Sequence, residues 1–338
     1  MRAVVLTGFG GPEQLEWHAD WPEPTPGAGE VRVRVAACGV NNTDIWTRIG
    51  AYGHGDDPAA AAGPRRTALA FPRIQGADAV GVVDLVGAGA PAELAGRSVI
   101  VDPVVRERPG ELTTARYLGS DRDGGFADYV VVPADNVIEM PTNLSWAEAA
   151  TLATAGGTAM RMLRHGGFQT GDRVVITGAS GGVGTALVQL AAIAGCDVTA
   201  VTRRRDLTDA LVSLGATTVI SADELRTDLA YDGALDVVSG DQVPRLLAAL
   251  RRGGTYVVSG ASGGSSFTMD IRTVYLGHLS LLGTSLFTGE DLRAVVDLAA
   301  EGRFVPALEA TYPLERLVDA QEHFLHGQRF GNLAIRVG

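Results

Sequence analysis

The chain has 338 residues, 46% hydrophobic and 20% charged, a composition that suits a globular protein of about two ordinary domains. Its formal charge of −11 argues against nucleic acid or an anionic membrane as partner, since both need a basic face. All 28 basic residues are arginine, which excludes chemistry through a lysine Schiff base.

Met1 leads straight into Val4-Val5-Leu6, without a charged leader before a long apolar core. No apolar run reaches the roughly 18 residues of a membrane span, so the expectation is a cytoplasmic protein. Residues 1–135 read as mostly β, with β-branched runs at 2–6, 30–36, 79–86, 97–101 and 127–132 between Gly and Pro clusters. After the second run, Cys38-Gly-Val-Asn-Asn-Thr-Asp44 reads as a turn leading into a short helix. The segments 53–72 and 103–125 are polar or rich in Ala, Gly and Pro, and read as surface loops, the first a possible lid. The two cysteines, Cys38 and Cys196, form no C-x-x-C pair and no zinc-finger spacing.

The pattern changes at Ser145, where Ser145-Trp-Ala-Glu148 has the form of a helix-starting capping box. Residues 144–163 read as largely helical, interrupted near Gly156-Gly157. Then comes Val174-Val175-Ile176-Thr177, an apolar run typical of a strand buried on both faces. It is followed by Gly178-Ala-Ser-Gly-Gly-Val-Gly184 and by apolar residues at helical spacing from Leu187. A glycine turn between a strand and a helix is the context of a dinucleotide fingerprint, with Ala179 at its first glycine place. The pyrophosphate would meet the helix N-terminus through Ala179, Ser180, Gly181, Gly182, Val183 and Gly184. Strands at 198–202, 218–220, 235–238, 255–259 and 279–286 alternate with helices at 207–214 and 243–251, which means a parallel, doubly wound sheet. Amphipathic helices at 289–301 and 314–325 and a strand at 333–337 close the chain.

This order resembles the medium-chain dehydrogenase/reductase superfamily over essentially the whole chain. The resemblance rests on Cys38-Gly-Val-Asn-Asn-Thr-Asp44, Ile74-Gln-Gly-Ala-Asp-Ala-Val-Gly81, Gly124-Gly-Phe-Ala-Asp-Tyr129 and the glycine turn. It is greatest to the zinc-free quinone oxidoreductase and enoyl reductase branch. The fold implied is α/β, a Rossmann doubly wound parallel sheet plus a β-rich GroES-like catalytic domain. The expected bounds are 1–135 with 287–338 for the catalytic domain and 136–286 for the dinucleotide-binding domain, with cofactor and substrate in the cleft.

In the zinc alcohol dehydrogenases the first motif usually runs C-G-V-C-H-T-D, and its metal-binding cysteine falls here at Asn41. The histidine of their G-H-E falls at Ala77, and the third ligand, a cysteine, falls at Thr154. Catalytic zinc needs three protein ligands, and none of these three residues is one. The cluster of four cysteines that holds a structural zinc is missing from 103–125, so no metal is expected.

Hydride transfer then falls to the cofactor, with the protein supplying position and electrostatics. Tyr52 stands where similar enoyl reductases place a tyrosine that protonates or orients the substrate; the alternative is an ordinary loop tyrosine. Asn41 aligns with an asparagine beside the nicotinamide, or simply forms a turn. Thr43 matches the hydroxyl of an alcohol dehydrogenase proton relay, or caps the short helix. Asp44 and Asp78 read as scaffold, while Trp46 falls where a quinone reductase has an aromatic near the pocket, the alternative being a core residue. After the second Rossmann strand stands Thr202-Arg203-Arg204-Arg205, without the acid that NAD enzymes place there. Guanidinium groups suit a 2′-phosphate, so NADPH is the expected cofactor. Ser259, Gly260 and Thr158 are further cofactor-binding candidates, and Asn332 replaces a lysine that many relatives hold near the cofactor.

The expected activity is zinc-independent reduction of a conjugated C=C bond or a quinone, by a homodimer acting on a small molecule. A zinc-free carbonyl reductase or alcohol dehydrogenase is one alternative, and a non-catalytic NADPH-binding protein another.

Overall fold

A computed structural model describes residues 1–54, 57–228, 231–326 and 328–338. The chain divides into two compact units. The first comprises Met1–Thr154, Thr288–Ala300 and Leu308–Gly338, the second Ala155–Phe287 and Glu301–Ala307. The expected boundary lay at 135; the strand Val137–Glu139 pairs with Ser98–Val101, and the chain as far as Thr154 belongs to the first unit.

The first unit is built on the strand Glu30–Val40, whose alternation buries Val31, Val33 and Val35 on one face. Asp78–Val86 pairs antiparallel along one edge of it. The other edge is shared, Tyr129–Pro133 covering its first half and Asn332–Arg336 its second. Ser98–Val101, Val137–Glu139 and Leu308–Pro313 complete the sheet. The expected end of this strand at 36 is thus too early, because a strand some 300 residues later in the chain covers the far half. Gly39 sits in that far half, where a Cβ would stand 2.2 Å from the carbonyl oxygen of Ala150. Glycine is required there for the two backbones to approach. Val33, Val83, Val130, Leu333 and Ile335 share the core of this sheet.

The segment 103–125, expected as a polar loop, holds the paired strands Val104–Val105 and Arg116–Tyr117 and buries the Tyr117 ring. In the segment 53–72, residues 55 and 56 lie outside the described residues. The rest of it makes a single bridge, Ala62 to Ala51.

The second unit carries six strands in the order Thr218–Ile220, Asp197–Val201, Arg173–Ile176, Tyr231–Asp236, Leu250–Val258 and Ser280–Gly283. Every pairing is parallel, so this is the doubly wound sheet the alternation of elements called for. Val174, Val175 and Ile176 are fully buried, as a strand covered on both faces requires. The helix Ile271–Gly277, which the sequence did not suggest, precedes the last strand.

Ser145 caps Trp146–Ala149 as its capping box implies, the hydroxyl accepting from the Glu148 amide while the carboxylate takes the Ser145 amide. The next turn, Leu152–Gly156, widens to π geometry before the helix Gly157–Gly166, and Thr154 lies in it. Such turns recur at functional sites.

Candidate active site

The helix Asn42–Ile49 organises the site of the first unit. Thr43 lies in its first turn and Trp46 three residues on, on the same face. Gly50 ends the helix in a left-handed conformation and returns the chain, so that Tyr52 reaches back. The Tyr52 phenol donates to Thr43 Oγ1 at 2.8 Å, and its ring meets Trp46 edge-on with centroids 5.5 Å apart. Burial pushes the phenol up to about 12. Trp46 is half-buried and supports the Tyr52 ring.

Beside this pair lies a second polar cluster, on which the three residues at the zinc-ligand places bear. Asn41 is buried, and its Nδ2 donates to Asp78 Oδ2 at 2.9 Å. The Thr154 amide donates to Asp78 Oδ1 at 2.9 Å, and the Thr154 hydroxyl donates to the same oxygen. Thr154 Oγ1 also bonds the Tyr117 hydroxyl at 2.7 Å. Asp78 follows Ala77, so all three places meet at one carboxylate. Burial raises Asp78 to about 6, against the hydrogen bonds from Thr154 and Asn41 that favour its charge. Asp44, buried nearby, accepts the amides of Asn41 and Gly76 and is pushed up to about 7, chiefly by burial. Tyr117 is raised well above the usual phenol range, again by burial first.

This donor set does not fit zinc. The cluster offers one carboxylate, an amide and a hydroxyl, and both carboxylate oxygens already accept hydrogen bonds from the other two groups. Among the described residues no three His, Cys, Asp or Glu side chains group to hold a metal. The Cys38 thiol is buried and raised in pKa by that burial, a state opposed to the thiolate that metal binding needs.

A dinucleotide fits the second unit. The helix Gly182–Ile193 starts at Gly181 with no side chain capping it, so its first N–H groups face outward without intrahelical partners. A Cβ on Gly184 would stand 2.0 Å from the Gly178 carbonyl oxygen; only glycine lets the helix start so close to the turn. The Ala179 amide bonds the Val201 carbonyl at 3.2 Å and ties the turn to the next strand. Ser180, Gly181, Gly182 and Val183 are half-buried at the same mouth. Thr202 follows the strand Asp197–Val201, and its Oγ1 accepts from the Arg204 amide at 3.1 Å. Arg204 pairs with Asp206 and Arg205 with Glu224, while exposed Arg203 has no partner among the described residues.

Ser259 and Gly260 follow the strand Leu250–Val258, the Ser259 amide bonding the Asp236 carbonyl at 3.0 Å. The glycine turn, Thr202–Arg204 and Ser259–Gly260 thus stand at the carboxyl ends of parallel strands, where such sheets bind ligands. Thr158 is buried on the helix Gly157–Gly166, and Asn332 opens a strand of the first unit.

Sequence reasoning missed Tyr117 and the part played by Asp78. Tyr117 lies in a stretch without periodicity, and no pattern marks a carboxylate for burial.

Residues 27–142 match the alcohol dehydrogenase GroES-like domain and residues 182–301 the zinc-binding dehydrogenase domain. Human quinone oxidoreductase is 26% identical over 97% of this chain and 94% of its own. A solved structure put forward as an alcohol dehydrogenase of Sinorhizobium meliloti superposes with a TM-score of 0.94 at 38% identity, over 99% of this chain and 96% of that one. The 2-octenoyl-CoA carboxylase reductase CinF, solved with NADP and 2-octenoyl-CoA, gives 0.83 at 26% identity, over 96% and 82%. With a dehydrogenase domain matched in each unit and the whole length shared with such relatives, this chain belongs to the medium-chain dehydrogenase/reductase superfamily of oxidoreductases.

Proposed function

We propose that the chain is a zinc-independent, NADPH-dependent reductase of a conjugated C=C bond or a quinone, working in the cytoplasm as a homodimer. The observation that carries this reading is the closed Asn41–Asp78–Thr154 cluster at the zinc-ligand places, which leaves hydroxyl groups rather than a metal to polarise the substrate. The quinone and enoyl-CoA reductase relatives support the substrate class.

The cofactor, when bound, supplies the hydride. Its pyrophosphate would lie on the N-terminus of Gly182–Ile193, and the exposed Arg203 would take the 2′-phosphate. Thr43 accepts the Tyr52 proton, so its own hydroxyl proton is left to donate to a substrate oxygen as negative charge builds there. Carbonyl reduction is the second reading; the same hydroxyl would polarise a C=O bond, and an alcohol dehydrogenase is among the similar structures.

Oxidation of NADPH and NADH with a panel of enones, quinones and ketones, with and without strong chelator, tests the proposal. NADPH turnover with an enone or a quinone, unchanged by chelation, is expected. One tightly bound zinc per chain with activity lost on its removal would overturn the zinc-independent reading. Turnover of ketones alone would favour the second reading, and NADPH binding without any turnover would leave a non-catalytic protein.

A further inference from the structure

A hydroxyl with two hydrogen-bonding neighbours, one of them a carboxyl group, can pass on a proton and be refilled in one step. Thr154 Oγ1 is such a hydroxyl. It is half-buried, while Asp78 and Tyr117, its two partners, are buried behind it. A hydroxyl oxygen can donate one hydrogen bond and accept two, so beside Asp78 and Tyr117 it keeps one place for a third group. We propose that Thr154 is the proton-transfer residue of this enzyme, with Asp78 as its proton reservoir and Tyr117 as the positioning residue that fixes the hydroxyl. The proposal rests on the reductase reading above.

The step balances. The bound cofactor would supply a hydride to the substrate carbon, and the substrate oxygen would take the Thr154 hydroxyl proton. Thr154 Oγ1 then takes the proton of the Asp78 carboxylic acid, and Asp78 is left as a carboxylate that regains a proton from solvent. The hydrogen bond from Thr154 to Asp78 in the structure is the arrangement after this transfer.

The Tyr52–Thr43 pair cannot fill the same role as well. A phenol pushed up to about 12 keeps its proton near neutrality, whereas a carboxyl raised to about 6 titrates close to it. The first pair therefore polarises the substrate and the second supplies its proton. Among the described residues the titratable groups facing Asp78 are Asp44, Cys38 and Tyr117. The thiol and the phenol, both raised by burial, stay neutral as Asp78 titrates, and Asp44 is raised chiefly by its own burial, with the Asp78 charge raising it further. Reduction needs the acid form of Asp78, so its rate falls as pH rises through that titration.

The test compares full-length parent, Thr154→Val and Thr154→Ser. With NADPH and a cyclic enone, Thr154→Val should lower kcat about 10²-fold with KM changed less than about threefold, and should abolish the fall in rate with rising pH. Thr154→Ser keeps the hydroxyl and should retain both rate and profile within a few-fold. A parent-like kcat and profile in Thr154→Val overturns the proposal, and so does equal loss in the two variants, which marks a packing role.

A second measurement needs neither cofactor nor substrate. Carbon-13 NMR of the Asp78 carboxyl and the Tyr117 ring should show the ring following the carboxyl titration in parent and Thr154→Ser, but not in Thr154→Val. A ring indifferent to that titration in the parent overturns the proposal even where no substrate is turned over, and so separates this failure from that of the reductase reading.

Discussion

Tyr52 is held by a hydrogen bond to one neighbour and an edge contact with another, and both neighbours come from a single helix face. Since its phenol donates to Thr43 rather than outward, under the proposed function any effect it has on a substrate passes through the threonine. Thr43→Val should therefore cost more than Tyr52→Phe, about 10²-fold against about 10-fold in enone kcat, with KM and NADPH affinity nearly unchanged. Quinones should suffer less, because their oxygens can take protons from water after hydride transfer. Steady-state kinetics of the two variants checks the order; a larger loss in Tyr52→Phe would mean that the phenol meets the substrate itself. Asn41, Thr43 and Tyr52 were singled out through the resemblance alone, and a short helix with the turn after it keeps them local in sequence. The grouping of Tyr117 and Thr154 was not legible, since Asp78 joins them across 39 and 76 residues of sequence.

The turn after the strand Asp197–Val201 shows how an element sorts residues of one type. Three consecutive arginines looked equivalent in sequence, yet ion pairs with Asp206 and Glu224 hold two of them and, among the described residues, leave Arg203 without one. Arg203→Ala should weaken NADPH binding about tenfold or more, roughly 1.4 kcal/mol, and leave NADH unaltered. Arg205→Ala should leave the binding of both cofactors unaltered. Fluorescence titration of the two cofactors measures this, and equal weakening of NADH would place Arg203 outside the 2′-phosphate site.

The elements themselves were readable where their pattern was local. The strand Thr218–Ile220 and the helix Val243–Ala249 lie where their periodicity put them. Val137–Glu139 and Leu308–Pro313 escaped, being short strands that exist through partners elsewhere in the chain, and Leu15–His18, which pairs locally with Ala3–Leu6, escaped as well. Glu30–Val40 was cut short for the same reason.

At the scale of the molecule, the sheet of the second unit ends in an edge that the described chain leaves uncovered. Among the described residues Ser280–Gly283 pairs only with Leu250–Val258, and the strand itself carries no charged residue. Leu281 is 38% exposed, and on the preceding helix Ile271, Tyr275 and Leu276 are each more than half exposed. An uncharged apolar edge invites pairing with another chain, and a monomer would carry it as an aggregation liability. A two-fold axis through this edge would pair the strand with its own copy antiparallel, closing both edges at once and burying both helices' apolar residues. The chain's net charge of −11 opposes disordered association but not a contact made through an uncharged strip. The protein should therefore be a homodimer, or a tetramer of such dimers, and Leu276→Glu with Leu281→Glu should give a folded monomer. Sedimentation and small-angle scattering at micromolar concentration decide the matter: a parent protein at the mass of one chain would refute the dimer, and a double variant that stays dimeric would move the interface elsewhere.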